Sequence, residues 1–150
     1  MMTTRRWKLV ALSFAINLLI SQLAANADAV DNWCTTYAST YKGHLHKITI
    51  RKDDGKVKIR AFGTGFPDPI DWGESIAEVY SGEGGHLPRF IAHYSVGTTK
   101  SMLVVAPNSG GGAPHEGGSI VCDVYMKTAE GKPQRYTGQN LNTDSDAKRQ

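Results

Sequence analysis

The sequence predicts an all-β domain, an antiparallel meander of about seven strands closed as a small barrel, with a β-sandwich as the alternative. Three observations lead there. Apolar and polar residues alternate at period two in one segment after another, and no stretch of the domain sustains a helical period. Gly, Pro, Asn and Asp bound those segments, as turns require. The two cysteines, Cys34 and Cys122, fall in the first and last patterned segments, where a disulfide would hold the ends of a meander together.

Residues 1–27 have the three parts of a secretory signal. Arg5, Arg6 and Lys8 form the positive start, Leu9 to Leu23 is largely apolar, and Ala25-Asn26-Ala27 is a small-x-small cleavage site before Asp28. The apolar run falls short of the roughly 20 residues a membrane span needs, and no basic stop-transfer cluster follows. Lys8 stands where a twin-arginine signal wants an apolar residue, which favours the general secretory route. The expectation is a secreted or periplasmic protein with no membrane span after cleavage. Cleavage would also remove three of the 17 basic residues and none of the 14 acidic ones, leaving a formally neutral chain. A nucleic-acid partner, which wants a clear positive excess, loses its support. The remaining ~123 residues make one domain able to bury its own core. Its β part is expected over residues 28–127, followed by a polar, disordered tail over 128–150 with at most a short strand at Arg135–Thr137.

The strands follow in order. Trp33 to Ser39 carries β-prone Trp, Thr and Tyr. His44 to Gly63 is a hairpin: Ile48 and Ile50 alternate with Lys47, Thr49 and Arg51, and Val57, Ile59 and Ala61 with Lys58, Arg60 and Phe62. Asp54-Gly55 between them suits a type I′ turn, which needs positive φ twice. Counting outward from that turn sets Ile50 opposite Ile59 and Ile48 opposite Ala61 on the core face, with Arg51 opposite Lys58 outside. Trp72 to Tyr80 reads as one strand, and Arg89 to Val96 as another with Phe90, Ala92, Tyr94 and Val96 inward. Gly97-Thr98 turns into Ser101 to Ala106, and Ile120 to Lys127 completes the series.

Between the hairpin and the next strand lies Gly63-Thr64-Gly65-Phe66-Pro67-Asp68-Pro69-Ile70-Asp71-Trp72-Gly73, an irregular corner. It resembles the signature of a family of small secreted bacterial β-domains whose loop reads roughly Cys-x-Pro-x-Asp-Cys-Asp-Trp-Gly. Pro67, Asp71, Trp72 and Gly73 match as they stand, while Gly65 and Ile70 replace the two loop cysteines. The resemblance spans roughly Trp33 to Val105 and implies a fold rather than an activity. As a binding site, this corner would place Asp68, Asp71 and Trp72 at a barrel mouth with Trp33 and Tyr80. The plainer reading is a rigid corner with Trp72 plugging one end.

Other candidates carry less. His44 and His46 share a strand face and could begin a metal site, with His93, His115, Asp68 or Glu116 as a third ligand, but no spacing demands it. No metal or other cofactor is expected. The Gly-rich stretch 108–119 lacks a phosphate-loop ending and reads as a connector or partner-contacting loop. Glu74 and Glu78 could pair as carboxylates, and Lys47, Arg51, Lys56, Lys58 and Arg60 could meet an anionic polymer. Solvated outer faces explain both more simply. No nucleophile motif is present, and an enzyme is the least favoured class. The leading expectation is non-catalytic binding of a small molecule or glycan at the barrel mouth. The alternative is a secreted interaction or inhibitor protein acting through an exposed loop.

Overall fold

A computed structural model describes residues 30–39, 43–80, 87–108 and 118–144. The signal segment lies outside the described residues, as does nearly all of the Gly-rich stretch. The described chain forms one nine-stranded antiparallel sheet that curls into a nearly closed barrel. In chain order the strands are β1 (Thr36–Ala38), β2 (Leu45–Asp53), β3 (Lys56–Gly63), β4 (Ile70–Ile76), β5 (Glu78–Tyr80), β6 (Arg89–Val96), β7 (Thr99–Pro107), β8 (Ser119–Lys127) and β9 (Pro133–Thr143). Their spatial order is β4-β3-β2-β1-β9-β8-β7-β6-β5.

The β2–β3 hairpin has the register its sequence specifies. Ile50 faces Ile59, Ile48 faces Ala61 and Arg51 faces Lys58. Asp54 and Gly55 sit at φ 49° and 72°, the positive values a type I′ turn requires. In β6, Phe90, Ala92 and Tyr94 point inward as the alternation indicates.

Closure depends on the segment from Ile70 to Tyr80. Its first part, β4, pairs with β3, and its second part, β5, pairs with β6. The change of partner falls at the buried Ala77, whose N–H donates to the Val57 carbonyl at 2.8 Å. Where β4 and β6 run side by side without a backbone ladder, side chains bridge them. The His93 N–H donates to Ser75 Oγ at 3.3 Å, and the Tyr94 hydroxyl donates to the Ile59 carbonyl of β3 at 2.9 Å. The Trp72 ring packs on Tyr94 with centroids 5.7 Å apart. Since β4 and β5 are one continuous run, the barrel has eight staves, a size whose interior side chains just fill.

The interior is filled. Tyr37, Leu45, Ile48, Ile59, Phe90, Leu103, Ile120 and Leu141 are among the side chains fully removed from solvent. One end is covered by the turn Val30–Cys34, whose Trp33 is buried and whose Trp33 carbonyl accepts the Tyr37 hydroxyl at 3.1 Å. The Lys52 ammonium holds this turn through Asp31 at 2.9 Å. At the other end lies Trp72, over Gly63, where an added Cβ would come within 2.5 Å of the indole nitrogen. Near that end β1 has already stopped, and the Gln139 side-chain oxygen of β9 accepts the Leu45 N–H at 2.9 Å in place of a strand partner.

Four expectations change. Nine strands form rather than seven, partly because Trp72–Tyr80 divides at the partner switch. Trp33–Ser39 is mostly the end-covering turn, with only Thr36–Ala38 in the sheet. The region past residue 127 holds the longest strand, β9, between β8 and β1. Its side chains stay mostly exposed, and ladders on both sides supply its order. Finally, Cys34 and Cys122 are not paired. Cys34 lies in the turn ahead of β1 rather than in a strand, and Cys122 lies in β8, which β9 separates from β1. A disulfide needs Cα atoms within roughly 7 Å, and the expected adjacency of first and last strands, on which the pairing rested, does not form. Cys122 is buried inside β8, and the Cys34 thiol points at the Val30 carbonyl, 3.6 Å away.

The seam yields a stability test. Tyr94→Phe removes the buried donor to Ile59 and is expected to cost about 1–2 kcal/mol, with the fold retained. Urea unfolding should show a lower midpoint at unchanged slope.

Candidate functional site

The residues expected to line a barrel mouth do not converge. Trp33 lies buried under one end, whereas Trp72 is half-buried against Tyr94 at the other. Asp68 is exposed on the corner loop. Asp71 faces outward, where it pairs with Arg60 and accepts the Gly73 N–H at 2.8 Å. Tyr80 stands exposed on β5, its hydroxyl donating to Glu78 at 2.7 Å. In the corner, positions 65 and 70 lie against each other, since a Cβ on Gly65 would meet the Ile70 side chain at 2.8 Å. Phe66 projects from the same corner almost fully exposed, at 98%.

The remaining candidates disperse as well. His44 packs against Tyr136, His46 is exposed, and His93 lies on the distant β6. Among the described residues no cluster of three metal-ligating side chains occurs. Glu74 binds Arg51 rather than approaching Glu78. Unpaired cysteines reopen the question of a thiol nucleophile, with Cys122 buried and Cys34 half-buried. Desolvation raises the pKa of both Cys34 and Cys122, disfavouring the reactive thiolate.

The basic stripe on β2 and β3 is largely neutralised. Arg51 contacts Glu74 at 2.7 Å and Asp53 at 3.6 Å, Lys58 contacts Asp53 at 2.6 Å, and Arg60 pairs with Asp71. Lys47 lies over the Phe62 ring at 5.5 Å. Hydrogen bonds from Lys58, Arg60 and Arg51 hold the carboxyls of Asp53, Asp71 and Glu74, respectively, below their usual range. Most of the charge on this wall is internally balanced.

The opposite wall is different. A groove of about 640 Å³ crosses β6, β7, β8 and β9 near the turns that end those hairpins. Its lining is a block of three rows fixed by register. His93, Met102, Tyr125 and Arg135 form one row, and Ser95, Lys100, Lys127 and Pro133 another. Between them run Tyr94, Ser101, Met126 and Gln134. Tyr94 and Ser101 point into the barrel, so the eight residues of the flanking rows point out of it. No residue of β1–β4 contributes to the lining, which places the groove on the outer wall rather than in the barrel mouth. Met102, Tyr125 and Pro133 give it apolar surface, Lys100, Lys127 and Arg135 give it positive charge, and no acidic residue lines it. The Arg135 guanidinium lies over the Tyr125 ring at 5.2 Å. Sequence reading missed the groove. Its only local trace is outward Met and Tyr alternating with Lys in two of the strands.

The three depressed carboxyls set a pH dependence. A carboxyl whose pKa is lower in the folded chain adds stability above its unfolded value and loses it as pH falls through the folded value. The melting temperature is therefore expected to hold from neutrality down to about pH 5 and to fall below about pH 4. In the double variant Asp71→Asn, Glu74→Gln it should be lower at pH 7, with a shallower acid limb. A scan of melting temperature against pH checks this. Comparison of the chain with family models, with curated proteins and with solved structures found no match.

Proposed function

We propose that this chain is an exported, non-catalytic binding domain whose ligand, a small molecule or glycan, seats in the outer-wall groove across β6–β9. The observation that carries the reading is the groove itself. At about 640 Å³ it lies in the range of about 300–1,000 Å³ typical of ligand sites, and it combines apolar surface with a few polar groups. A filled interior supports seating the ligand on the wall rather than in the barrel mouth. Its support is rigid, because the lining residues of all four strands lie in unbroken stretches of antiparallel ladder. The corner's likeness to a family of small secreted bacterial β-domains is part of the same proposal, as is export through the signal over residues 1–27.

A glycan and small-molecule array read by melting temperature tests it. A ligand at a hundredfold excess over its Kd adds about 2.7 kcal/mol, enough for a clear upward shift. Tyr125→Ala should abolish the shift while leaving the unliganded melting temperature nearly unchanged. A shift that survives Tyr125→Ala and disappears in Trp72→Phe would return the site to the barrel end.

A second reading, a protein contact through an exposed loop, has one specific support, the exposure of Phe66. Most of 108–119 lies outside the described residues. Phe66→Ser should weaken capture of any partner retained from culture supernatant and leave stability unaltered within about 0.5 kcal/mol. Undiminished capture would remove this reading.

A further inference from the structure

The charges on the two walls are handled differently. On β2 and β3, Arg51, Lys52, Lys58 and Arg60 each have a carboxylate partner, and only Lys47, over the Phe62 ring, and Lys56 at the hairpin turn have none among the described residues. In the groove, Lys100, Lys127 and Arg135 have none among the described residues. Lys100 and Lys127 are moreover direct cross-strand partners. Like charges placed so repel one another. Arg135 is diagonal to Lys127, two residues beyond its partner Pro133. Three cations thus crowd one side of a groove to which no acidic side chain among the described residues contributes.

We infer that the ligand is an acidic saccharide, a short chain of sugar rings bearing carboxylate or sulfate groups; this rests on the groove being the ligand site. Its acidic groups would supply the missing charge at Lys100, Lys127 and Arg135 through charge-assisted hydrogen bonds. A ring face would pack on Tyr125 and the neighbouring Met102 and Pro133, while Ser95 and His93 lie at the edge for hydroxyl groups. The stack of Arg135 on Tyr125 keeps the guanidinium at that ring with its N–H groups free for an acid. Four strands side by side span about 14 Å, which exceeds a single ring and favours a chain over a lone aromatic acid.

Isothermal titration of the full chain provides the test, with tetragalacturonate and a chondroitin sulfate tetrasaccharide as acidic probes. The controls are methyl-esterified tetragalacturonate and a short single-stranded oligonucleotide of equal charge. At least one acidic probe is expected to bind, roughly tenfold or more tighter than the ester and the oligonucleotide, and more weakly as salt rises. Lys100→Ser with Lys127→Ser should weaken that binding by roughly tenfold or more, whereas Lys47→Ser with Lys56→Ser on the other wall should change it less than about twofold. Equal binding of the ester, lost in Tyr125→Ala, would overturn the acidic character and leave the groove as the site. Equal binding of the oligonucleotide would overturn the saccharide. Absence of binding by both acidic probes overturns the inference. If array ligands also ignore Tyr125→Ala, the groove reading fails with it.

Discussion

A sheet becomes a barrel only if its last free edge finds its first. Here that requirement falls on eleven residues, Ile70 to Tyr80, which hydrogen-bond to β3 along one half and to β6 along the other. Ala77 is the pivot. It is buried, and its N–H is taken up by β3 at Val57 before the chain turns to its new neighbour. Between β4 and β6 the ladder is replaced by Ser75, Tyr94 and Trp72. Such a seam is necessary because buried backbone groups without partners are costly. It also fixes the curvature that brings β6–β9 round to the side facing away from the β2–β3 hairpin.

Closure at eight staves has a second consequence. A barrel of that girth has room for side chains and little else, and both ends are covered here, by the Trp33 turn and by Trp72. Nothing as large as a sugar ring could enter without displacing Tyr37, Phe90 or Leu103 from a packed interior, and core rearrangements of that kind cost several kcal/mol. On the proposed reading a ligand would therefore seat on the outer wall, where alternation leaves every second side chain available. The same pleat that sends Tyr94 and Ser101 to the core delivers Tyr125, Lys100 and Lys127 to one continuous surface.

What the sequence made legible follows from how local each cause is. The β2–β3 hairpin was readable to the residue, because Asp54-Gly55 fixes the turn and the turn fixes the register. The inward face of β6 was readable for the same kind of reason. β9 was not, since Leu141 is its one buried hydrophobic residue and its order comes from neighbours on both sides. The partner switch at Ala77 was hidden because nothing local distinguishes it from an uninterrupted strand. Cys34 and Cys122 misled: first and last among the patterned segments suggested adjacency, but Cys34 falls in the turn before β1, and the polar β9 that parts β1 from β8 carried little hydrophobic signal. Trp72 was placed correctly as a plug by the plainer of its two readings. The groove was illegible because its lining comes from four strands, and only their mutual register puts Lys100 beside Lys127.

The contrast between the walls can be weighed by the rule that governs cross-strand pairs. Arg51 opposite Lys58 is also a like-charge pair, yet Glu74 and Asp53 stand against it and cancel the repulsion. Lys100 opposite Lys127 has no such relief among the described residues. In water this costs little, because exposed ammonium groups are hydrated and physiological salt screens them over about 8 Å. Covering the groove changes the balance. A neutral ligand would strip water from two facing cations and strengthen their repulsion as the local dielectric falls. An anionic ligand would turn the same loss of water into attraction. On the proposed reading, the arrangement would be indifferent to charge when open and selective when covered, with no movement of the barrel required.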